Sequence, residues 1–270
     1  KCNAQISGFS VSNNIVKKVG RKLNSISNRI KIKCRDIDSY NRLINYIPER
    51  NLILTNDIAF ICPSSKVTEN RSYGSYTAWT KMVTSKGFQI IAVCPNSIQA
   101  NKLGYEQYFK DLTILLDSFL RIRQFAFVFL YHDVRAKCGT LSDKSISCEL
   151  NDFFSQQQGC FCYYPSQIEN GASLKEYLKL VDFTVTGRMH LGISGLTSNK
   201  PMFGIAYANK FEGMVRLFGV DPSLCLVDFD KMASSQNVVN SFLSRYSSIQ
   251  SSINRNLLSV TKGTLLNYEN

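Results

Sequence analysis

Short apolar runs alternate with segments of helical period along nearly the whole chain. In the N-terminal part, the runs at 4–11, 29–34 and 51–55 are typical of strands, and the segments 13–25 and 38–46 between them have a helical period. Strands that alternate with helices form parallel sheets, because a parallel neighbour is reached only through a crossover connection. The sequence therefore predicts an α/β fold.

A second strand series occupies the remainder of the chain. Its predicted strands cover 89–94, 125–131, 161–164, 181–186, 202–207 and 225–227. The run at 125–131 is wholly apolar, which is typical of a strand covered on both faces in the middle of a parallel sheet. It is the longest uninterrupted apolar run, and it is too short to cross a bilayer.

The two series indicate two Rossmann-like halves with parallel sheets that face a cleft. We predict a partial N-terminal Rossmann-like domain at 1–62 and a polar linker at 63–87 that ends in a short helix near Trp79. A C-terminal Rossmann-like domain is predicted at 88–235, and a helical segment at 236–270.

The chain is strongly basic, with 32 Lys and Arg against 20 Asp and Glu and a net charge of +12. Nucleic-acid binders usually cluster basic residues beside exposed aromatic side chains. Here the charges are spread out, apart from Lys17-Lys18 with Arg21-Lys22 and the stretch 29–35. We therefore predict no nucleic-acid partner. A solvated basic surface, an anionic substrate and peripheral contact with an anionic membrane remain open.

The nine cysteines are scattered and odd in number, and some lie in apolar runs, such as Cys94 and Cys225. This usage is typical of reduced thiols in a cytoplasmic protein. Cys160 and Cys162 are a close pair, but no second pair and no histidine lies near them in the sequence, so they do not indicate a zinc site. We predict no metal and no resident cofactor.

Ligands of open α/β sheets bind at the carboxyl ends of the strands. The strand at 181–186 is followed by Gly187, and Arg188, Met189 and His190 then begin a helix. This arrangement places a cation, an imidazole and free backbone N–H groups at one helix N-terminus, which suits a small anion of high charge. A surface arginine beside a packed histidine is the alternative for the same pattern.

Three further residues follow predicted strands and are candidates for contact with a ligand. His132 follows the strand at 125–131, although a His-Asp pair there could also simply cap a turn. Arg35 follows the strand at 29–34, and Lys210 lies near the start of the helix after the strand at 202–207. No Walker loop, dinucleotide fingerprint, His-Glu-x-x-His or Gly-x-Ser-x-Gly motif is present. These residues by themselves indicate an α/β protein that binds a small anion.

Over about residues 5–220 the chain resembles the polysaccharide pyruvyl transferase family. The segments that carry the resemblance, in chain order, are 32–36 with Ser39, 55–60, 129–133 with 142–143, 186–190, 198–201 and 205–210. The family opens with a strand and a Gly/Asn-rich loop ending in Gly-Asp, which has no match here. We therefore expect a truncated N-terminal half, so the residues that would bind the acceptor substrate in the cleft are not assigned.

The resemblance implies a glycosyltransferase-B-like architecture, phosphoenolpyruvate as the donor and two sugar hydroxyls as the acceptor. The product would be a pyruvate ketal on a glycan or lipid-linked sugar, with release of inorganic phosphate. Arg188 and Arg35 would hold the two anionic groups of the donor, and His190 would be the general acid that protonates its methylene carbon. His132, Met189 and Lys210 would also contact substrate.

Two other functions fit the same residues. In a nucleotide-sugar glycosyltransferase of this architecture, the arginine and histidine near position 190 would hold a diphosphate. In a non-catalytic module they would bind an anion or a glycan without turnover. The two alternatives predict different ligands and products, so binding and phosphate-release measurements distinguish them from pyruvyl transfer.

Overall fold

The computed structural model describes residues 4–9, 11, 15–27, 29–64, 71–133, 141–168, 170–207 and 211–269. The chain divides into two compact units. The first contains Lys1–Cys62 together with Leu258–Asn270, and the second contains Pro63–Leu257.

The first unit is a small three-stranded parallel sheet with helices. Its elements are β1 (Ala4–Phe9), α1 (Val16–Ser27), β2 (Ile30–Cys34), α2 (Ile37–Leu43) and β3 (Leu52–Leu54), with 3₁₀ turns at Glu49–Asn51 and Ile58–Ile61. The strand order is β1-β2-β3. Ile32 and Cys34 of β2 pack with Leu23 of α1, Leu43 of α2 and Leu52 of β3 in one apolar core. These are the alternate residues of β2, as the pleat of a strand requires.

The first unit is completed by the end of the last helix, α11 (Tyr246–Glu269). Lys33, on the other face of β2, is buried and donates a hydrogen bond to the carbonyl of Asn267. A cation is stabilised there because the carbonyl end of a helix carries a partial negative charge. Tyr268 donates to the carbonyl of Asn56, and the Asn56 side chain donates to Thr264 Oγ1, both at 3.0 Å.

The predicted C-terminal helical segment is thus two helices, α10 (Gln236–Ser244) and α11. α11 has 24 residues, but neither it nor any other helix in the described part of the chain combines the length and apolarity needed to cross a bilayer.

The second unit is a six-stranded parallel sheet with helices on both faces. Its strands are β4 (Gln89–Cys94), β5 (Phe125–Phe129), β6 (Phe161–Tyr163), β7 (Phe183–Thr186), β8 (Met202–Ala206) and β9 (Leu226–Asp228). Its helices, besides α10 and most of α11, are α3 (Arg71–Ser85), α4 (Ser97–Leu103), α5 (Tyr105–Leu120), α6 (Asp143–Ser155), α7 (Gly171–Lys179), α8 (Met189–Thr197) and α9 (Glu212–Leu217). The predicted α/β fold with two parallel sheets is confirmed.

The strand order β6-β5-β4-β7-β8-β9 determines where a ligand can enter the second unit. From β4 the chain first adds strands on one side, and it then returns to β7 on the other side. The strand order reverses between β4 and β7, and in open parallel sheets a ligand is expected at the carboxyl edge beside such a switch point.

The sheet is buried on both faces, as the apolar strand β5 predicts. Phe119 of α5 packs against four other rings with centroid distances between 5.4 and 6.5 Å, contributed by β5, β7, β8 and α10. On the opposite face, Ala126 and Val128 of β5 pack with Tyr76 of α3 and Tyr177 of α7.

The structure differs from the predicted linker at 63–87, because residues Arg71–Ser85 form α3 and belong to the second unit. Tyr76 and Val83 are fully buried, and the Tyr76 hydroxyl donates to the carbonyl of Tyr177 at 2.9 Å. The buried face of this helix is made of tyrosine, threonine and valine. Because tyrosine and threonine are only weakly apolar, the sequence shows no clear helical repeat of hydrophobic residues here. Burial of aromatic side chains with a bonded hydroxyl supplies the packing instead.

Replacement of Phe119 by alanine should destabilise the second unit by about 3–5 kcal/mol, because it removes a fully buried ring from four aromatic contacts. Chemical denaturation of the two proteins measures this difference. Phe153→Ala is the matched control, since that ring is 42% exposed and its loss should cost much less. Equal losses in the two variants would contradict the assigned core.

Candidate functional site

Asp143, the first residue of α6, holds together the carboxyl edge of the second sheet. Its carboxylate is fully buried and accepts four hydrogen bonds. Two come from the backbone N–H groups of Ser97 and Asp133, at 2.8 and 3.0 Å, and two from Nε and Nη2 of Arg188, at 2.7 and 2.6 Å. A buried carboxylate is stable only when it is fully paired in this way. It thereby joins the loops after β4, β5 and β7.

Arg188 is consequently fixed before any ligand binds. Its Nη2 also donates to Ser97 Oγ at 3.0 Å and lies 3.8 Å from Asp133 Oδ2. Burial lowers the pKa of Arg188, but its hydrogen bonds and charge interaction with Asp143 outweigh burial, and the net shift of the pKa is upward. Within the described residues Nη1 has no hydrogen-bond partner, so it is the edge of the guanidinium that can bind an anion.

Two buried amide side chains, at and near the start of α4, bond the loop after β7 and strand β8 beside this ion pair. Asn96 caps α4 and donates from Nδ2 to the carbonyl of Gly187 at 2.7 Å. Gln99 donates from Nε2 to the carbonyl of Ile205 at 2.8 Å. A side chain at position 187 would overlap the Gln99 carboxamide oxygen and lie 2.8 Å from Asn96 Cβ. Glycine is therefore required there by close packing.

Both histidines of the chain lie at this edge. The rings of His132, after β5, and His190, in the first turn of α8, are 5.9 Å apart at an interplanar angle of 29°, and both are exposed. Burial of part of the ring by surrounding atoms lowers the pKa of His132, and the positive charges of His190 and Arg188 lower it further. Neutral imidazole has an unprotonated nitrogen, so His132 can accept a hydrogen bond near neutral pH.

The N-terminus of α8 has no side-chain cap. Thr186 Oγ1 instead accepts the backbone N–H of Arg188, at 2.9 Å, which fixes the turn before the helix. Met189 is the first residue of α8 and is half-buried. The N–H groups of the first turn and the positive end of the helix dipole therefore face the same edge as the two imidazoles.

The structure brings together four of the six predicted site residues, namely Arg188, Met189, His190 and His132. Arg35 lies in the first unit, where its Nη1 donates to Asp57 Oδ2 at 3.0 Å, a partner that the sequence reasoning did not anticipate. Lys210 lies outside the described residues. No group of three or more His, Cys, Asp or Glu with metal-binding geometry occurs in the described part of the chain.

Sequence reasoning did not assign Asp143, Ser97, Asn96 or Gln99 to the site. A signal existed for Asp143, because Ser142 and Ser145 form a reciprocal cap at the start of α6 and place an acid in the first turn. Asn96 directly before a helix is likewise a typical cap. Neither pattern indicates which distant side chain the residue would contact.

Asp143→Ala should lower the free energy of unfolding by about 3–5 kcal/mol, because it leaves the Arg188 guanidinium buried without its partner. Denaturant titration measures the loss. Asp228→Ala, which breaks the exposed Asp228–Lys231 pair, is the control and should cost about 1 kcal/mol or less. If the two losses were similar, the Asp143 pair would not be structurally important.

Gly187→Ala should destabilise the protein by about 1–3 kcal/mol, since the added methyl group must displace two buried amide side chains. Gly213→Ala serves as the control, because an added methyl group there meets open space in α9. That change should be neutral or stabilise by about 1 kcal/mol at most. The comparison uses thermal and denaturant unfolding, and a neutral Gly187→Ala would contradict the packing described.

Solved structures similar to this chain share its fold. A glycosyltransferase from Rickettsia africae ESF-5 has a TM-score of 0.52 and 13% identity, covering 98% of this chain and 69% of the other. UDP-GlcNAc 2-epimerase from Neisseria meningitidis, solved with UDP-GlcNAc, has a TM-score of 0.57 and 14% identity, covering 97% and 67%. A UDP-forming trehalose-phosphate synthase from Burkholderia xenovorans has a TM-score of 0.56 and 10% identity, covering 98% and 67%. Identities this low establish the glycosyltransferase-B-like fold alone.

No curated protein matches the chain by sequence. The family model described as polysaccharide pyruvyl transferase, however, matches residues 6–209, which include Arg35, His132 and the Arg188–His190 turn. The match spans most of both strand series, and the chain therefore belongs to the polysaccharide pyruvyl transferase family.

Proposed function

We propose that this protein transfers a pyruvyl group from phosphoenolpyruvate to two hydroxyls of a sugar in a polysaccharide or its precursor, forming a pyruvate ketal. The observation that carries the proposal is the stacked His132–His190 pair beside the anchored guanidinium of Arg188 and the uncapped start of α8. These groups offer anion binding and proton transfer within one small region of the sheet edge.

The donor anion is bound by dipoles and by one fixed cation. Phosphate oxygens accept hydrogen bonds from the first-turn N–H groups of α8, where Met189 lies, and from Nη1 of Arg188. Because Asp143 balances the charge of Arg188, further positive charge must come from other residues. Lys210 is our candidate for that charge. Arg35, which is itself paired with Asp57, is our candidate for a hydrogen-bond donor to the donor carboxylate.

His190 acts as the general acid, and His132 acts as the general base that accepts the proton of the attacking sugar hydroxyl. Protonated His190 donates its proton to the methylene carbon of phosphoenolpyruvate, and C2 becomes electrophilic. The first sugar hydroxyl attacks C2 as its proton moves to neutral His132. The C2–O bond to phosphate then breaks, the second hydroxyl attacks C2, and the ketal ring closes. The proton on His132 passes to the departing phosphate and the proton of the second hydroxyl passes to His190, so both imidazoles return to their starting states and the two hydroxyl protons account for those on carbon and phosphate.

The buried free thiols of Cys34, Cys94 and Cys225 support a reducing compartment, and we place the reaction in the cytoplasm. The thiols of Cys160 and Cys162 share a hydrogen bond, with the two sulfurs 3.7 Å apart. The acceptor is a glycan or a lipid-linked sugar. The proposed steps use only protein side chains and the two substrates, without a metal ion or a resident cofactor.

Release of inorganic phosphate from phosphoenolpyruvate, measured with a panel of sugar acceptors, tests the proposal. His190→Ala should lower the rate at least about 100-fold, because general acid catalysis contributes roughly that much or more. His132→Gln should slow turnover and alter its pH dependence, since it removes a group whose pKa is shifted downward. Asp228→Ala, remote in sequence and exposed, should leave the rate unchanged.

Outcomes that contradict the proposal are distinguishable. Retained turnover in His190→Ala would remove this imidazole from the mechanism. Thermal stabilisation by uridine or guanosine diphosphate but not by phosphoenolpyruvate would favour a nucleotide-sugar glycosyltransferase. Binding of phosphoenolpyruvate without phosphate release from any acceptor would favour a non-catalytic binding module.

A further inference from the structure

The positive charge of the chain is concentrated at its N-terminal end. Residues 1–35 contain nine Lys and Arg and no Asp or Glu, and the first acidic residue is Asp36. This segment forms β1, α1 and β2 of the first unit. A net charge this uneven creates a local positive field that attracts an anionic partner.

Four of these basic side chains lie together on one exposed face of α1. Val16, Val19 and Leu23 pack into the core of the first unit. The basic face of α1, defined as Lys17, Lys18, Arg21 and Lys22, is exposed. Its members are spaced i, i+1, i+4 and i+5, so they occupy the side of the helix opposite the core. Within the described residues none of the four forms an ion pair with a carboxylate.

Two exposed isoleucines lie at the border of the basic face. Ile15, whose carbonyl accepts the N–H of Val19, is 50% exposed, and Ile26 in the last turn is 42% exposed. Ile15, Lys18, Lys22 and Ile26 follow the spacing i, i+3, i+7 and i+11, which is one stripe along the helix. Large apolar side chains in line with lysines are typical of helices that lie in a membrane interface.

We propose that the basic face of α1, with Ile15 and Ile26, docks on the surface of an anionic lipid bilayer. Lipid phosphates pair with the four cations, and the two isoleucines enter the boundary between headgroups and acyl chains. A lipid surface fits better than nucleic acid because the exposed neighbours are aliphatic, whereas nucleic-acid sites use aromatic rings on which bases stack. The inference is independent of the proposed transfer reaction.

Flotation of the full chain with lipid vesicles tests the proposal. The protein should bind vesicles of phosphatidylcholine mixed with phosphatidylglycerol, should bind pure phosphatidylcholine much more weakly, and should dissociate as salt is raised, because salt screens surface charge. Lys18→Gln with Lys22→Gln should weaken binding about 25-fold, since each basic residue near an anionic surface contributes about fivefold. Ile15→Ser with Ile26→Ser should weaken binding and leave its salt dependence unchanged.

Arg121→Gln with Arg123→Gln is the matched control, because these exposed arginines of the second unit flank Ile122, which is 39% exposed. This control should bind vesicles within about twofold of the wild type, since it removes the same charge from a different surface. Circular dichroism and thermal melting of each variant confirm that the fold is retained.

Several results would overturn the proposal. They are failure of the wild type to float with anionic vesicles, equal binding to neutral vesicles, and equal losses in the α1 and Arg121/Arg123 variants. Tighter binding to single-stranded nucleic acid than to anionic vesicles at one ionic strength, lost on substitution of Lys18 and Lys22, would assign the basic face to nucleic acid instead.

Discussion

The ion pair between Asp143 and Arg188 is the interaction on which the candidate site depends. A carboxylate with no exposed surface must have every lone pair bonded, and here the partners come from three separate loops at the sheet edge. The pair therefore holds the loops after β4, β5 and β7 in one arrangement. His132 lies on the loop after β5, and His190 lies in the first turn of α8, directly after the loop that follows β7, so Asp143 holds together the segments that carry both rings.

The same pair lowers the net positive charge of the candidate site, because the Asp143 carboxylate neutralises the Arg188 guanidinium. The net charge of +12 suggests a strongly positive anion site, but Arg188 is balanced by Asp143 and lies near Asp133. The site offers oriented N–H groups at the start of α8 and one edge of a guanidinium, which bind an anion through directed hydrogen bonds rather than bulk charge. The excess positive charge is concentrated instead in residues 1–35, where Lys17, Lys18, Arg21 and Lys22 face outward on α1.

Sequence patterns predicted the strands well because parallel strands covered on both faces are apolar throughout, as in β5, or alternate clearly, as in β2. They predicted α3 poorly because its buried face includes tyrosine and threonine, which weaken the apolar helical period, and the Tyr76 hydroxyl bonds a carbonyl of α7 that only the packed protein brings near. They missed α4 because this seven-residue helix is set by the Asn96 cap and its packing rather than by a long apolar period.

The sequence by itself determined the alternation of strands and helices, the apolar centre of the second sheet and which polar residues follow a strand. It therefore gave the fold class, the family and the positions of His132, Arg188 and His190. Only the tertiary structure decided that Arg188 pairs with Asp143, 45 residues away, and that the last turns of α11 complete the first unit. Local periodicity records which side of an element is buried, whereas a partner distant in the chain is set by how the strands and helices pack together.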